Sequence, residues 1–318
     1  MNPEGSGARL TSDFAGITVL VTGGSGFIGT RLCEALSVAG AIVHVVSRRQ
    51  REVNVAAERW WTGDLSSEEE TLRIIDRASP RFIFHLAGEV GGARDLDFVG
   101  SMLRNNLVST VNLMSAATRA GCDGFVLAGS MEEPSDSTDY VTPRSPYAAA
   151  KWAASGYARM FFALYSLPVT ILRLFLVYGP GQRDSTKLVP YVIRSLLSGR
   201  PPRLTDGQRR IDWIYVDDVI SAFMAAASTD HGVGKTIDVG SGRLVSIAEV
   251  VERIVGILGS HVEPMYGALQ RRPLEHESVA DTGPAQDSLN WAPTVDLKVG
   301  LKRTVEWYSS GHAPESPS

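Results

Sequence analysis

A tyrosine and a lysine four residues apart are the first side chains in this sequence that could do chemistry together. In the run YAAAK, Tyr147 and Lys151 fall on one face of a predicted helix. The lysine charge is expected to lower the pKa of Tyr147 from about 10, so that the phenol can exchange a proton with a hydroxyl or a carbonyl. Ser130 closes the apolar strand GFVLAGS, and its hydroxyl could hydrogen-bond the reacting oxygen. We therefore predict that these three residues are catalytic.

Near the N-terminus, glycines spaced three apart follow a strand and open a helix, in the run TGGSGFIG at residues 22–29. Gly23 permits a tight turn, Gly26 lets the backbone approach a pyrophosphate, and Gly29 lets the helix pack closely on the sheet. The helix N-terminus offers N–H groups to phosphate, which predicts a dinucleotide site. An oxidised nicotinamide bound there would add to the lowering of the tyrosine pKa. The predicted backbone contacts are Gly23, Ser25, Gly26, Phe27, Ile28 and Gly29.

The end of the second predicted strand bears on which dinucleotide binds. It reads Ser47, Arg48, Arg49, where an NAD site usually places an acidic residue that holds the ribose hydroxyls. An arginine can instead pair with a 2′-phosphate through its planar guanidinium. The sequence therefore favours NADP, with NAD as the alternative, and the three residues are predicted to contact the cofactor. The two arginines could also be ordinary solvated charges.

The elements that must position these residues alternate between apolar strands and helices. Such alternation predicts an α/β protein with a Rossmann-type, doubly wound parallel sheet. Residues 1–178 are predicted to form mainly the dinucleotide-binding domain. Residues 179–318 are predicted to form a smaller substrate-binding lobe with a disordered tail, and with returns to the sheet near 213–216 and 236–239. The predicted strands are 17–24, 41–47, 81–86, 124–129 and 169–176, and the predicted helices include 27–39, 102–117 and 147–164.

The net charge, the cysteines and the apolar runs of the sequence indicate which kinds of binding partner to expect. The chain has 318 residues and a formal net charge of −4, which gives no reason to expect a nucleic-acid partner. The two cysteines, Cys33 and Cys122, lie in no metal-ligand pattern, so no metal site is predicted. The sequence shows neither a signal peptide nor an apolar run long enough to span a bilayer. A cytoplasmic protein with no membrane association is predicted.

Taken together, TGGSGFIG, WTGDL, HLAG, YAAAK, LRLFLVYGPGQ, IDWIYVDD and NWAP resemble the extended short-chain dehydrogenase/reductase family across residues 17–308. The resemblance implies an NAD(P)-dependent oxidoreductase that acts on a nucleotide-linked sugar. It places Asp64 and Leu65 at the adenine pocket and makes Asn106 a support of the cofactor-binding segment. It also implies a homodimer formed through helices 102–117 and 147–164. The residues implied to pass beneath the cofactor are Leu86, Ala87 and Gly88.

The residues after Ser130 bear on which reaction is catalysed. The segment GSMEEP resembles that of reductases of nucleotide-linked 4-keto-6-deoxy sugars. Glu132 also matches the glutamate that dehydratases of this fold carry two residues after the serine or threonine, which makes it a candidate catalytic residue. Met131 stands where one class of dehydratase has an aspartate, and a thioether cannot donate a proton. A 4-epimerase is the alternative, followed by a dehydratase or a decarboxylase, and a non-enzymatic NAD(P)-binding scaffold is the least favoured. Glu132 and Glu133 could instead be loop charges that face water.

A nucleotide diphosphate requires cations in the second lobe. The candidates are Lys187, Arg209, Arg210, Arg271 and Arg272, the last at the position where the family usually places its diphosphate-binding arginine. Two positions depart from the family pattern. Leu176 replaces an asparagine, and Ile211 replaces an arginine just before Asp212.

Overall fold

The protein is described from a computed structural model, which covers residues 14–48, 56–91, 94–134, 142–271, 275 and 277–311. The strands in chain order are β1 Thr18–Thr22, β2 Ile42–Ser47, β3 Arg59–Thr62, β4 Phe82–His85, β5 Gly124–Ser130, β6 Val169–Leu174, β7 Leu176–Tyr178, β8 Arg210–Tyr215, β9 Thr236–Val239 and β10 Leu244–Ser246. The helices are α1 Phe27–Val38, α2 Glu68–Ala78, α3 Phe98–Met102, α4 Ser109–Ala120, α5 Pro146–Tyr165, α6 Leu188–Leu197, α7 Val216–Ala227, α8 Ile247–Leu258, α9 Gly283–Leu289 and α10 Leu297–Ser309. A π-helical segment, Leu103–Val108, joins α3 to α4.

Seven strands form one sheet in the order β3-β2-β1-β4-β5-β6-β9. Strands β3, β2, β1, β4 and β5 pair in parallel. The strand order reverses between β1 and β4, and ligands bind outside the carboxyl ends of strands at such a switch point. The predicted Rossmann-type α/β fold is confirmed.

The core of this sheet follows from the composition of its strands. All four residues of β4 and all seven of β5 are buried, as expected for strands covered on both faces. Their apolar side chains pack with those of α2, α4 and α5 in one hydrophobic cluster. The cluster packs β1, β4 and β5 against these helices.

The chain divides into two compact units. The larger comprises Met1–Arg173, Ile220–Ile237 and Pro284–Trp291, and the smaller comprises Leu174–Val219, Asp238–Gly283 and Ala292–Ser318. The predicted boundary between residues 178 and 179, and the substrate-binding role of the second lobe, stay predictions. None of the helices in the described part of the chain combines the length and apolar composition needed to traverse a lipid bilayer.

Two of the predicted strands need comment. Residues 236–239 form β9 of the large sheet, as predicted. The predicted return of residues 213–216 to that sheet is wrong, because β8 pairs with β7 and β10 in a separate three-stranded sheet. Val216 already begins α7. The apolar run in IDWIY specifies a strand, but it does not specify which edge the strand pairs with.

The two helices predicted to follow the cofactor-binding strands are present. Helix α5 begins after Ser145, whose hydroxyl accepts the Ala148 N–H at 3.1 Å. The predicted helix 102–117 is helical throughout but widens into the π-helical segment before Ser109. There the hydroxyls of Ser109 and Thr110 donate to the carbonyls of Asn105 and Asn106 at 2.8 and 2.6 Å. Such single-turn π segments are frequent at functional sites.

Candidate cofactor and catalytic site

The glycine turn has the backbone geometry that the sequence predicts. Gly23 has φ +72°, and its carbonyl accepts the Gly26 N–H at 2.9 Å. Helix α1 begins at Phe27, and its first helical hydrogen bond runs from the Thr30 N–H to the Gly26 carbonyl at 3.0 Å. The N–H groups of Phe27 and Ile28 therefore have no partner inside the helix. They are available to an anion at the helix N-terminus.

At three glycines around this turn, neighbouring atoms approach so closely that a Cβ would collide with them. A Cβ on Gly29 would lie 2.1 Å from the Gly23 carbonyl oxygen, and one on Gly23 would lie 2.8 Å from the Ala87 nitrogen. A Cβ on Gly88 would lie 2.4 Å from Oδ1 of Asn106, a buried atom with no hydrogen-bond partner among the described residues. The turn and the end of β4 thus present bare backbone to one another. This cradle fits the pyrophosphate and ribose of a dinucleotide.

A buried hydrogen-bond chain connects the turn to the π-helical segment. The Ala87 N–H donates to the Thr22 hydroxyl at 3.1 Å, and Thr22 contacts His85 Nδ1 at 2.7 Å. On the other side of the ring, Nε2 lies 2.8 Å from the Thr110 hydroxyl, which donates to the Asn106 carbonyl. Since Thr110 donates to that carbonyl, it must accept from His85, so the imidazole carries its proton on Nε2. Thr22 then donates to Nδ1, so that each donor and acceptor from the Ala87 N–H to the Asn106 carbonyl has a hydrogen-bond partner.

His85 is neutral in this arrangement. Burial, with a smaller contribution from the Lys151 charge, lowers the pKa of His85 to about 3. A neutral imidazole can accept on Nδ1 and donate on Nε2, whereas a protonated imidazole could not accept the hydrogen bond that Thr22 donates. Thr22 and His85 lie within the motifs TGGSGFIG and HLAG, but no motif assigns them this role, and Thr110 is marked only by its place in the predicted helix 102–117. This series of buried hydrogen bonds fixes the ends of β1 and β4, where the cofactor is predicted to bind.

Polar groups gather at the end of β2, where the adenosine of a dinucleotide is predicted to lie. Arg48 Nη1 lies 3.4 Å from Oδ1 of Asn105, whose Nδ2 donates to Glu89 at 2.7 Å. The Ser66 backbone N–H lowers the pKa of Asp64, and the charges of Arg48 and Arg104 lower it further. Ser47 lies at the end of β2, and its carbonyl accepts the Gly63 N–H at 3.1 Å. Arg49 lies outside the described residues.

The other predicted cofactor residues lie at neighbouring strand ends. Leu65 is buried, and its carbonyl accepts from Thr71 and from Asn112 at 3.1 and 3.0 Å. Leu86 follows β4, and its N–H donates to the Thr22 carbonyl at 3.2 Å. Asn106 is fully buried, and its amide donates to the Glu89 carbonyl at 3.1 Å, which supports the segment after Gly88. Glu89 and Asn105 are additional polar residues of this region that the sequence analysis missed.

Ser130, Tyr147 and Lys151 come from two adjacent elements. Ser130 ends β5, and its side chain hydrogen-bonds that of Tyr147 near the start of α5. One turn later the buried ammonium of Lys151 donates to the Ala128 carbonyl at 2.8 Å. The predicted catalytic set is therefore assembled at the carboxyl end of the sheet.

The expected lowering of the tyrosine pKa is not produced by the protein's own groups. Burial raises the pKa of Tyr147 to about 12; the Ser130 hydrogen bond lowers it, and the charges of Glu133 and Glu132 raise it further. Lys151 is not among the groups that shift the pKa of Tyr147, and its ammonium donates to the Ala128 carbonyl. Burial also lowers the pKa of Lys151, while Glu133 raises it. The phenol of Tyr147 therefore stays protonated at neutral pH.

The two glutamates after Met131 occupy different environments. Glu132 is partly exposed, and its N–H donates to the Ser130 hydroxyl at 3.2 Å. Glu133 is only 6% exposed, and its carboxylate accepts the Ser130 N–H at 2.7 Å. The alternative that both carboxylates face water is therefore wrong for Glu133. The sequence favours Glu132 for catalysis and gives no sign of the buried position of Glu133, because no periodic pattern distinguishes the two neighbours.

The candidate substrate cations belong to the smaller unit. Lys187 precedes α6 and is partly buried. The guanidinium of Arg210 is paired with Glu277 at 2.6 Å through Nη2 and at 3.0 Å through Nε. Ile211 is buried, so the one-residue offset from the family pattern places the arginine on the opposite face of β8. Arg272 lies outside the described residues.

Comparison with known proteins gives the class of this fold and site. The model of the NAD dependent epimerase/dehydratase family matches residues 19–240. A UDP-glucose 4-epimerase of Mycolicibacterium smegmatis is 31% identical over 310 residues, which cover 91% of this chain and 97% of that protein. A dTDP-glucose 4,6-dehydratase of Streptomyces griseus is 30% identical over 311 residues, which cover 91% and 93%. The chain therefore belongs to the NAD-dependent epimerase/dehydratase family, and the resemblance to extended short-chain dehydrogenases/reductases is confirmed.

A solved structure extends the comparison to ligands. MoeE5 in complex with UDP-glucuronic acid and NAD is 33% identical to this chain and matches it with a TM-score of 0.83. The match covers 92% of this chain and 99% of that one. In that relative, NAD and a nucleotide sugar are bound together.

Proposed function

We propose that this protein transfers hydride at C4 of a nucleotide-diphosphate sugar, as a 4-epimerase. The observation that carries the proposal is the hydrogen-bonded pair of Ser130 and Tyr147 at the sheet edge that also bears the glycine turn. The relatives that are 4-epimerases support the same reaction. Met131 argues against a dehydratase that needs an acid at that position, because its thioether has no proton to donate.

Tyr147 and Ser130 would have different roles in the oxidation and reduction of the sugar at C4. The bound nicotinamide supplies a hydride acceptor and donor. Tyr147 takes the proton of the sugar hydroxyl during oxidation and returns it during reduction. Ser130 hydrogen-bonds the same oxygen and holds it beside the phenol. Because the protein alone holds the pKa of Tyr147 at about 12, the positive charge of an oxidised nicotinamide would provide the lowering that deprotonation requires.

A second candidate is a reductase of nucleotide-linked 4-keto-6-deoxy sugars. Two features of this chain favour it. The segment GSMEEP carries the Ser-x-Glu-Glu order of such reductases, and Arg48 follows the second strand, where an arginine in place of an acidic residue favours NADP. Net reduction of the 4-keto group would consume NADPH. Tyr147 would then only donate a proton to the keto oxygen and would not have to take one back.

One experiment with two arms separates these candidates. Pure protein with NADPH is mixed with a panel of nucleotide-linked 4-keto-6-deoxyhexoses, and nicotinamide absorbance is followed. In the other arm, protein with oxidised cofactor is incubated with UDP-glucose, UDP-glucuronic acid and dTDP-glucose, and products are separated by chromatography. Interconversion of C4 epimers without net cofactor change supports the epimerase, and stoichiometric loss of NADPH supports the reductase. Absence of both reactions would contradict the proposed function.

We further propose that the cofactor is NADP, with Arg48 as the phosphate-binding residue. Replacing Arg48 by alanine should weaken NADP binding by roughly 10- to 100-fold, because a hydrogen bond to a charged group contributes about 1.5–3 kcal/mol. NAD, which lacks the 2′-phosphate, should bind almost as before. Titrations of cofactor fluorescence measure both affinities, with Arg77→Ala on the exposed face of α2 as a control. Equal losses for NAD and NADP would contradict the phosphate-binding role.

A homodimer formed through the α3–α4 region and α5 is also proposed. Exposed apolar side chains occur on both elements, including Leu103, Tyr157 and Leu164 at 49%, 43% and 66% exposure. A Leu103→Glu substitution should therefore convert the dimer to a monomer, because a buried unpaired charge is costly at an interface. Light scattering after gel filtration measures the mass, and Leu197→Glu on α6 is the control. A wild-type monomer, or a variant that stays dimeric, would contradict this interface.

The remaining assignments are proposals of the same kind. Lys187, Arg210 and Arg272 are proposed to contact the nucleotide diphosphate of the substrate. Because Arg210 is bound to Glu277, its participation requires that ion pair to open. Cytoplasmic location stays a prediction from the sequence.

A further inference from the structure

A buried carboxylate lies beneath the catalytic residues and has no part in the chemistry described so far. The carboxylate of Glu133 accepts the Ser130 N–H at 2.7 Å, and the Glu133 N–H donates to the Ser130 carbonyl at 3.0 Å. Glu133 therefore hydrogen-bonds both the N–H and the carbonyl of Ser130, the residue whose hydroxyl contacts Tyr147. A carboxylate buried to this degree is retained only where it is paired or hydrogen-bonded.

The groups that face this carboxylate come from three elements. Ser130 belongs to β5; Tyr147, Lys151 and Ser155 belong to α5; and Arg173 belongs to β6. Burial raises the pKa of Glu133, while Ser155, the Ser130 N–H and the charges of Lys151 and Arg173 lower it. Glu132 is the other acid near Tyr147. Two cations and the hydrogen bond from the Ser130 N–H thus favour the ionised carboxylate.

The backbone makes room for this carboxylate at one specific glycine. A Cβ on Gly129 would lie 2.9 Å from Glu133 Oε1 and 3.2 Å from the Ile171 side chain. Position 129 must therefore lack a side chain for Glu133 to reach the Ser130 N–H. Gly129 and Glu133 are a matched pair, which indicates that the buried position of the carboxylate is built into the strand end.

We infer that Glu133 is a positioning residue, which holds Ser130 against Tyr147 through both backbone groups of Ser130 and places a buried negative charge beside the reacting set. The inference rests on the proposed function only in taking Ser130, Tyr147 and Lys151 as the reacting set. Glu133 itself touches neither substrate nor cofactor in this role. It acts through the Ser130 backbone and through its charge.

The charge has a consequence of definite sign. An anion beside Tyr147 disfavours the phenolate and raises its pKa, and the same anion favours the ammonium of Lys151 and raises its pKa. Glu133→Gln keeps the size of the side chain and an acceptor for the Ser130 N–H, but it removes the charge. Both pKa values should therefore fall in the variant.

The test reads the pKa of Tyr147 directly and does not depend on turnover. Protein labelled with ¹³C at the tyrosine ζ-carbon is titrated by NMR with oxidised cofactor present and absent, and Tyr147→Phe assigns the resonance. Glu133→Gln should lower the Tyr147 pKa by about one unit, the size expected for one charge at an effective dielectric constant near 20. Glu133→Asp, which keeps the charge, should restore part of the shift. Glu68→Gln, at an exposed site on α2, should leave the pKa unchanged.

The possible outcomes are distinct. A shift in Glu133→Gln with an unchanged melting temperature supports the inference, and the alkaline limb of the pH–activity profile for sugar reduction should move to lower pH by the same amount. A lower melting temperature with no change in the Tyr147 pKa would overturn it, since that result describes a merely structural residue. If no sugar is turned over but the pKa shift is present, the proposed function fails and the positioning role of Glu133 stands.

Discussion

Replacing Tyr147 by phenylalanine is expected to lower turnover by about 10²- to 10⁴-fold, the usual contribution of a positioned general acid or base. The substitution removes one hydroxyl, which is hydrogen-bonded to Ser130 and held at a pKa of about 12. Without it, the oxygen of the substrate has no phenol to give it a proton or take one away. Affinity for the cofactor should be almost unchanged, because the ring still fills its place at the start of α5.

The measurement is kcat for whichever sugar the two-armed assay identifies, together with a cofactor titration on the same preparation. Tyr165→Phe is the matched control, since it removes a hydroxyl from the same helix at a residue that is 54% exposed. It should leave kcat close to that of the wild type. Full activity in Tyr147→Phe would remove the catalytic assignment and transfer the proton chemistry to another group.

The parts of the fold that the sequence predicted are those encoded by local patterns. The apolar runs of β1, β2, β4 and β5 have no alternative to burial, so their positions are readable residue by residue. The start of α5 is similarly explicit, because Ser145 and Pro146 are a helix cap and a first-turn residue. Once these elements are placed, Ser130 and Tyr147 must meet at one edge of the sheet.

The parts that the sequence did not predict depend on contacts between residues that are distant in the chain. Whether Glu132 or Glu133 is buried is decided by the space at Gly129 and by cations on α5 and β6. The sheet to which β8 belongs is decided by its pairing with β7 and β10. The sign of the pKa shift at Tyr147 likewise depends on burial, which the Y-x-x-x-K spacing does not specify. Motif spacing identified the reacting groups, and three-dimensional packing set their electrostatics.

The glycine turn supplies a second large effect, on cofactor binding. Gly29→Ala would place a Cβ 2.1 Å from the Gly23 carbonyl oxygen and 2.8 Å from the Gly24 Cα. Both are backbone atoms, so the turn itself must move. We expect the free energy of unfolding to fall by about 1–3 kcal/mol, as for an overpacked core. Cofactor affinity should fall by at least about tenfold, or about 1.4 kcal/mol, because the displaced turn carries the N–H groups that face the phosphates.

Urea denaturation and fluorescence titration of the cofactor measure these two effects separately. Gly256→Ala is the matched control, since Gly256 lies in α8 with no atom within 4 Å of its added Cβ. In that variant, stability should rise by up to about 1 kcal/mol, because alanine has the higher helix propensity, and cofactor affinity should not change. Unaltered cofactor binding in a folded Gly29→Ala protein would show that the turn does not hold the phosphates. Loss of binding in Gly29→Ala alone would tie the pyrophosphate to the backbone of this turn, since the two substitutions add the same methyl group.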